Sequence, residues 1–331
     1  MTIPSFKILK KNAAERVAAS QNASRVVLVY TGIVTALAAL VTIVNYVLGL
    51  KIDQTGGLSN MGLRSVLSTF QSVLPMIQSM VVMCLELGYV AAMVRVSRGQ
   101  HTSEKTLKLG FDRFWVMLRS TLIQSLIFMV VCMAAFWLAM QIYLITPLSG
   151  SFMDALTPLV SNPSFSMEAL LADEVLTGQL VTTMVPMFLL FAVLYAAVCI
   201  PITYSLRMTN YVIIDKPSMG AMDALRESRK MMRGSRMRLF KLDLSLWWWY
   251  AISALSVVLC YGDVILAVFG VTLPVSDAVS YFLFFGLFLA VQFASGYFLR
   301  NRVEVVYAQV YDALKPREKE NGVVLGNIFQ M

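Results

Sequence analysis

Apolar residues fall along the chain in six runs long enough to cross a bilayer, separated by polar segments whose own apolar positions recur every three to four residues. The runs are 26–50, 66–94, 121–145, 180–206, 244–269 and 278–299, and about 20 apolar residues in a helix span the hydrocarbon core. The pattern predicts an all-α protein, a six-helix transmembrane bundle with interfacial amphipathic helices on its cytoplasmic side. It places one integral membrane domain over 1–315 and a flexible cytoplasmic tail over 316–331. The first run follows an extended polar start, which predicts a span and not a cleaved leader.

The polar segments carry the amphipathic signals. From Asp215 to Tyr250, Asp215, Lys216 and Pro217 predict a helix start capped by Ser218. Met219, Met222, Leu225 and Met232 then form an apolar stripe beside Arg226, Arg229, Lys230, Arg233, Arg236, Arg238 and Lys241. Gly234 and Ser235 offer a bend. Trp247, Trp248, Trp249 and Tyr250 open the fifth run, at the depth where amphipathic rings meet lipid head groups. The expectation is a helix lying on an anionic inner leaflet and then turning into the membrane; a solvated loop or a nucleic-acid patch would be basic too. A second such helix is predicted after Thr102 or Ser103, with Leu107, Phe111, Phe114, Trp115 and Leu118 on one face and Trp115 as an anchor. A third is predicted over Val303, Val306, Tyr307, Val310, Tyr311 and Leu314, and a short one near the N-terminus over Phe6, Leu9, Ala13, Ala14 and Val17. The shared layout of the segments before the third and fifth runs hints at an internal duplication.

Composition agrees with a membrane protein: 58% hydrophobic and 14% charged residues, with a mean hydropathy of +0.71, exclude a soluble globular chain. The net charge of +8 is explained by sidedness. Alternate connections hold 25 of the 27 Lys and Arg, so the positive-inside rule puts both termini in the cytoplasm and supports six spans. The balance therefore needs no nucleic acid as partner.

Candidate chemistry is sparse. In the second run Gln71, Gln78, Glu86 and Tyr89 share one helical face. Glu86 lies eight residues before the span end at Val94, about 12 Å inside it at 1.5 Å per residue, where a lone carboxylate costs about 2.5–3.5 kcal/mol. It either lines an ion or proton pathway, or serves as inter-helix glue bonded to Gln124, Gln292 or a backbone carbonyl. Pro186 and Pro201 predict kinks or a broken helix in the fourth run. Asp154, Glu168, Asp173 and Glu174 make the longest outer segment acidic, as expected of a solvated loop or the mouth of a pathway. Cys84, Cys132, Cys199 and Cys260 have no metal or redox spacing, and His101 is the lone histidine, so no metal site and no cofactor are expected. No nucleophile with a base and no nucleotide-binding glycine loop is evident.

The order Asp215, Pro217, Ser218, Ala221, Ala224, Leu225, Ser228, Arg229, Met232, Gly234, Leu239, Phe240, Leu242, Leu244, Ser245, with FKILKKNA, ELGYVAAMVRVSRGQ, GFDRF and VVYAQVYDAL elsewhere, resembles an uncharacterised family of bacterial integral membrane proteins. The likeness covers nearly the whole chain. It departs from the family pattern where Leu246 and the tryptophans replace a Gly-Trp, and in lacking a Pro-Tyr before the last span. A more distant similarity is to the membrane domain of membrane-anchored glycerophosphodiester phosphodiesterases, without their catalytic module. The resemblance implies a multi-pass plasma-membrane protein and brings no catalytic residue. The expected function is non-enzymatic: organising anionic inner-leaflet lipids, a membrane-protein partner or a second copy through the basic collar. The alternative is a small transporter or exporter component with Glu86 in a polar pathway.

Overall fold

The computed structural model describes residues 4–20, 22–54, 61–161, 174–262, 265–266 and 275–315; the expected tail over 316–331 and the acids Glu168 and Asp173 lie outside them. Among the described residues there are helices and no strand. They are α1 (Phe6–Ala19), α2 (Ala23–Gln54), α3 (Met61–Ser97), a 3-10 turn (Glu104–Lys108), α4 (Leu109–Asp112), α5 (Phe114–Leu144), α6 (Leu148–Ser161) and α7 (Glu174–Leu206). There follow α8 (Thr209–Asp215), α9 (Ala221–Met231), α10 (Arg236–Ser245), α11 (Trp247–Cys260), α12 (Asp277–Ser295), a π turn (Gly296–Arg300) and α13 (Asn301–Leu314).

Among the described residues five helical stretches are long and apolar enough to cross a membrane: Ala23–Gln54, Met61–Ser97, Phe114–Leu144, Thr182–Asp215 and Ala278–Leu314. A sixth arises if α10 and α11, which meet at 68°, form one broken span. This is a multi-pass membrane architecture. The break falls at Leu246, which is buried at 2% exposure and so fixes the corner by packing. α7 runs through Pro186 and Pro201 without a break, contrary to one of the two outcomes expected there.

The chain divides into two compact units, one of residues 1–118 with 207–331 and one of residues 119–206. In the smaller unit the Tyr143 hydroxyl donates to the Thr183 carbonyl at 3.0 Å, tying α5 to α7. Phe136 meets Phe191 edge-on at 5.8 Å.

The larger unit holds most of the buried core, and it collects the segments that the sequence placed on a membrane surface. α13 is the clearest correction: Val303, Val306, Tyr307, Val310, Tyr311 and Leu314 are all at most 4% exposed. Its apolar stripe and its flank at Val305 and Ala308 are buried in protein, so α13 is a core helix and not a surface one. The helix predicted after Ser103 is also corrected. The 3-10 turn, α4 and a break at Arg113 replace it, and Phe111 and Trp115 are exposed. Backbone approach explains the interruption. A Cβ on Gly88 would strike the Leu107 backbone, and one on Gly110 the Cys84 backbone, so two glycines let this segment press against α3 at the main chain. Further on, Lys216 to Gly220 is not helical, and α9 starts at Ala221 with Gly220 in the capping position, so Ser218 is not the cap. The expected bend is present, with Gly234 at φ 86°, a conformation that favours glycine.

Candidate functional site

The polar centre of the larger unit is built on helical periodicity. Arg300, Glu304, Tyr307 and Tyr311 recur at intervals of four, three and four, so they stack on one side of α13 and its leading π turn. Each finds a partner from far along the chain. Arg300 Nη2 donates to Glu86 Oε1 at 2.8 Å, and its guanidinium sits 5.1 Å from the Tyr30 ring and 5.2 Å from the Tyr89 ring. Those rings stack on each other at 4.4 Å. The Tyr211 hydroxyl donates to Glu304 at 3.0 Å. The Tyr307 hydroxyl donates to buried Asp243 at 2.5 Å, meets the Tyr250 hydroxyl at 3.3 Å, and its ring lies under Arg207 at 4.6 Å.

The ladder ends in an ion network. The Tyr311 hydroxyl donates to Asp215 at 3.1 Å; Asp215 also takes Arg98 at 3.0 Å and Lys315 at 2.6 Å. Arg98 in turn holds Asp312 at 2.6 Å. Its hydrogen bonds to Asp312 and Asp215 hold the guanidinium protonated beyond its ordinary range, against the partial burial that opposes them. The arrangement is one of compensation, in which each carboxylate meets a cation or a phenol. Such a network fixes the register of α3, α8, α10 and α13.

The predicted stripe in α3 is brought into this seam. Glu86 faces Arg300, and Tyr89 is fully buried against Tyr30. Gln71 Nε2 lies at 3.5 Å from the Asn45 carbonyl of α2, a long bond, and Gln78 is half-buried. Neither amide considered as a partner for Glu86 takes that role: Gln124 donates to Ser120 at 3.1 Å, and Gln292 lines a cavity. Sequence reasoning missed Arg300, Tyr30, Glu304, Tyr211 and Asp243. The four-three-four recurrence from Arg300 to Tyr311 was the available signal for two of them, Arg300 and Glu304.

That cavity, about 230 Å³, opens beside Arg300 among α2, α11 and α12, with Thr31, Thr35, Ser253 and Gln292 as its polar lining and Trp249 and Phe288 as apolar walls. Gly296, also in its lining, lets the π turn pack closely on α2, since a Cβ there would come within 2.9 Å of the Thr31 methyl.

The basic collar presents its charges outward. Arg226, Arg229, Lys230, Arg233, Arg238 and Lys241 are exposed and Arg236 is half-buried. The opposite face of α9 and its exit, Ala221, Ala224, Leu225, Ser228 and Met232, is buried in protein; the Ser228 hydroxyl accepts the Met208 amide at 3.2 Å. Met222, from the expected stripe, is 48% exposed. Among the anchors, Trp115 and Trp247 are exposed, Trp248 and Trp249 are half-buried, and the Tyr250 hydroxyl is turned to Tyr307.

A family model described as "Protein of unknown function (DUF975)" matches residues 5–310, which takes in α1 to α12 and all but the last four residues of α13. The chain belongs to the DUF975 family. The DUF975 match covers both the Glu86–Arg300 seam and the basic collar, and it assigns neither a role. No curated protein and no solved structure matches the chain, and the likeness to the phosphodiesterase membrane domain is not shown by any comparison.

Proposed function

We propose that this protein is a non-catalytic, multi-pass protein of the plasma membrane, with both termini in the cytoplasm, that gathers anionic lipid head groups through the basic face of α9 and α10. A membrane-protein partner or a second copy with an acidic surface would use the same face. One observation carries the reading. The apolar side of α9 is committed to the protein interior, so its cations stand as a fixed array on the outside. Arg226 pairs with Asp223 at 3.6 Å; Arg229, Lys230, Arg233, Arg238 and Lys241 have no ion pair among the described residues. Each cation held near an anionic leaflet contributes about 1 kcal/mol, within a Debye length of about 8 Å at physiological salt. The charge sidedness of the sequence supports the orientation.

Changing Arg229, Lys230, Arg233, Arg238 and Lys241 together to glutamine tests this. All five are exposed, so the fold is spared. In detergent at low salt, added phosphatidylglycerol is expected to raise the melting temperature of the wild type and to leave the variant unmoved. An equal shift in both would reject the collar as the lipid contact.

A transporter component is the second reading, and the cavity beside Arg300 is the observation in its favour. A single cysteine at Thr35, in a protein with its four native cysteines replaced, is expected to resist a membrane-impermeant thiol reagent from both faces of sealed vesicles. Labelling from both faces would favour transport over the collar reading.

A further inference from the structure

A second and larger cleft, of about 450 Å³, lies where α1 ends, α2 begins and the chain leaves α3. It shares no residue with the basic face of α9 and α10. Its lining has a consistent chemistry: Arg16, Ser20, Asn22, Gln100, His101 and Thr102 contribute donors, and no carboxylate lines it.

The backbone shapes the cleft around Arg16. Gly99 has φ 70°, a left-handed turn that side chains disfavour. The Arg16 guanidinium occupies the space this opens, with Nη1 2.6 Å from where a Cβ on Gly99 would stand. Arg16 makes no ion pair among the described residues, so its charge is available.

The other walls add neutral donors. Asn22 Nδ2 lies 2.9 Å from His101 Nε2. An amide nitrogen only donates, so in this pairing Nε2 accepts and Nδ1 is the ring's donor position. Asn22 also stands at the start of α2, a helix of 32 residues whose amino end carries the positive pole of its dipole. The independent sign of a ligand is Thr102. It is 1% exposed, it lines the cleft, and its buried Oγ1 has no hydrogen-bond partner. A buried hydroxyl in that state is costly and is relieved by a ligand oxygen.

We propose that this cleft binds a phosphate ester, with the guanidinium of Arg16, the imidazole of His101 and the hydroxyl of Thr102 on the phosphate oxygens. Arg16 supplies charge and paired N–H donors that match the tetrahedral group. The cleft is several times larger than inorganic phosphate, so the group arrives on a larger molecule. That molecule is either a soluble phosphomonoester or the head group of a phospholipid.

The test uses the full chain in detergent, titrated with glycerol 3-phosphate as the soluble probe and with short-chain phosphatidic acid as the lipid probe, followed by calorimetry. Binding of at least one probe is expected. Arg16→Ala is expected to weaken it by about tenfold or more, the worth of one charge-assisted hydrogen bond, and Thr102→Val to weaken it less. Gly99→Ala, which deletes no donor but strains the turn and pushes the Arg16 guanidinium out of its place, is expected to weaken it as well. Glycerol 3-phosphate binding would identify the soluble source; binding of phosphatidic acid alone would identify the lipid source. The glutamine variant of the α9 and α10 cations keeps this binding, which separates the two sites. No heat with either probe in a folded protein, or undiminished affinity in both Arg16→Ala and Gly99→Ala, would overturn the proposal.

Discussion

Gly110→Ala is expected to destabilise the protein by about 3 kcal/mol or more, one of its most damaging single-methyl changes. The added Cβ would fall on the Cys84 carbonyl group, a backbone element in the middle of α3 that no rotamer change can move. α4 would have to lift away, and with it the 3-10 turn that buries Thr106 and Leu107. Gly88 closes the same contact from the other side, against the Leu107 backbone, so Gly88→Ala is expected to act alike. The control is Gly32→Ala in α2, where nothing lies within 4 Å of the new atom. In thermal unfolding in one detergent, Gly110→Ala should melt roughly 6–12 °C below the wild type and Gly32→Ala within a degree or so of it. Equal melting temperatures for Gly110→Ala and wild type would mean that α4 does not rest on α3.

The six apolar runs were legible because bilayer thickness imposes a length, and length is a property that sequence displays directly. Each described span overlaps its run. The bend between α10 and α11 was foreshadowed only as a place where the chain enters the membrane; its 68° angle at Leu246 depends on what that leucine packs against. The helices expected on the membrane surface fared differently. An apolar stripe with period 3.6 says that one face is covered, and it is silent on whether lipid or protein does the covering. For α13 the cover is protein. Residues that could have hinted at this were polar: Glu304, Tyr307 and Tyr311 sit in or beside the stripe, where a lipid-facing helix would not hold them.

The site was half legible for a related reason. Gln71, Gln78, Glu86 and Tyr89 lie on one element, so helical arithmetic could group them. Their partners lie on others: Arg300 is 214 residues from Glu86, and Asp243 is 64 from Tyr307. Pairing across such separations is set by tertiary packing, which no local period records. Gly110 did leave a trace, as a glycine inside a helical pattern that marks a break or a close approach.

Arg300→Met is expected to cost about 3 kcal/mol, toward the lower end for breaking a buried pair because Glu86 keeps 43% of its side-chain surface. The arginine balances Glu86 directly and stands one helical turn from Glu304, so its removal leaves two carboxylates facing the Tyr30 and Tyr89 rings. Glu86→Gln is expected to cost less, since an amide in place of the carboxylate leaves Arg300 near Glu304 and over both rings. The double variant, Arg300→Met with Glu86→Gln, should be more stable than the sum of the single losses predicts, by about 1–2 kcal/mol. Thermal unfolding of the four proteins in the same detergent and salt measures that coupling, and strictly additive losses would show that the 2.8 Å contact contributes nothing to the fold. A large coupling carries a functional consequence. A carboxylate that must shuttle ions or protons has to release its counter-ion in each cycle, and coupling of that size makes release costly. It would favour Glu86 as a fixed strut between α3 and the π turn, and leave the exposed cations of α9 and α10 as the part of the protein free to engage something outside it.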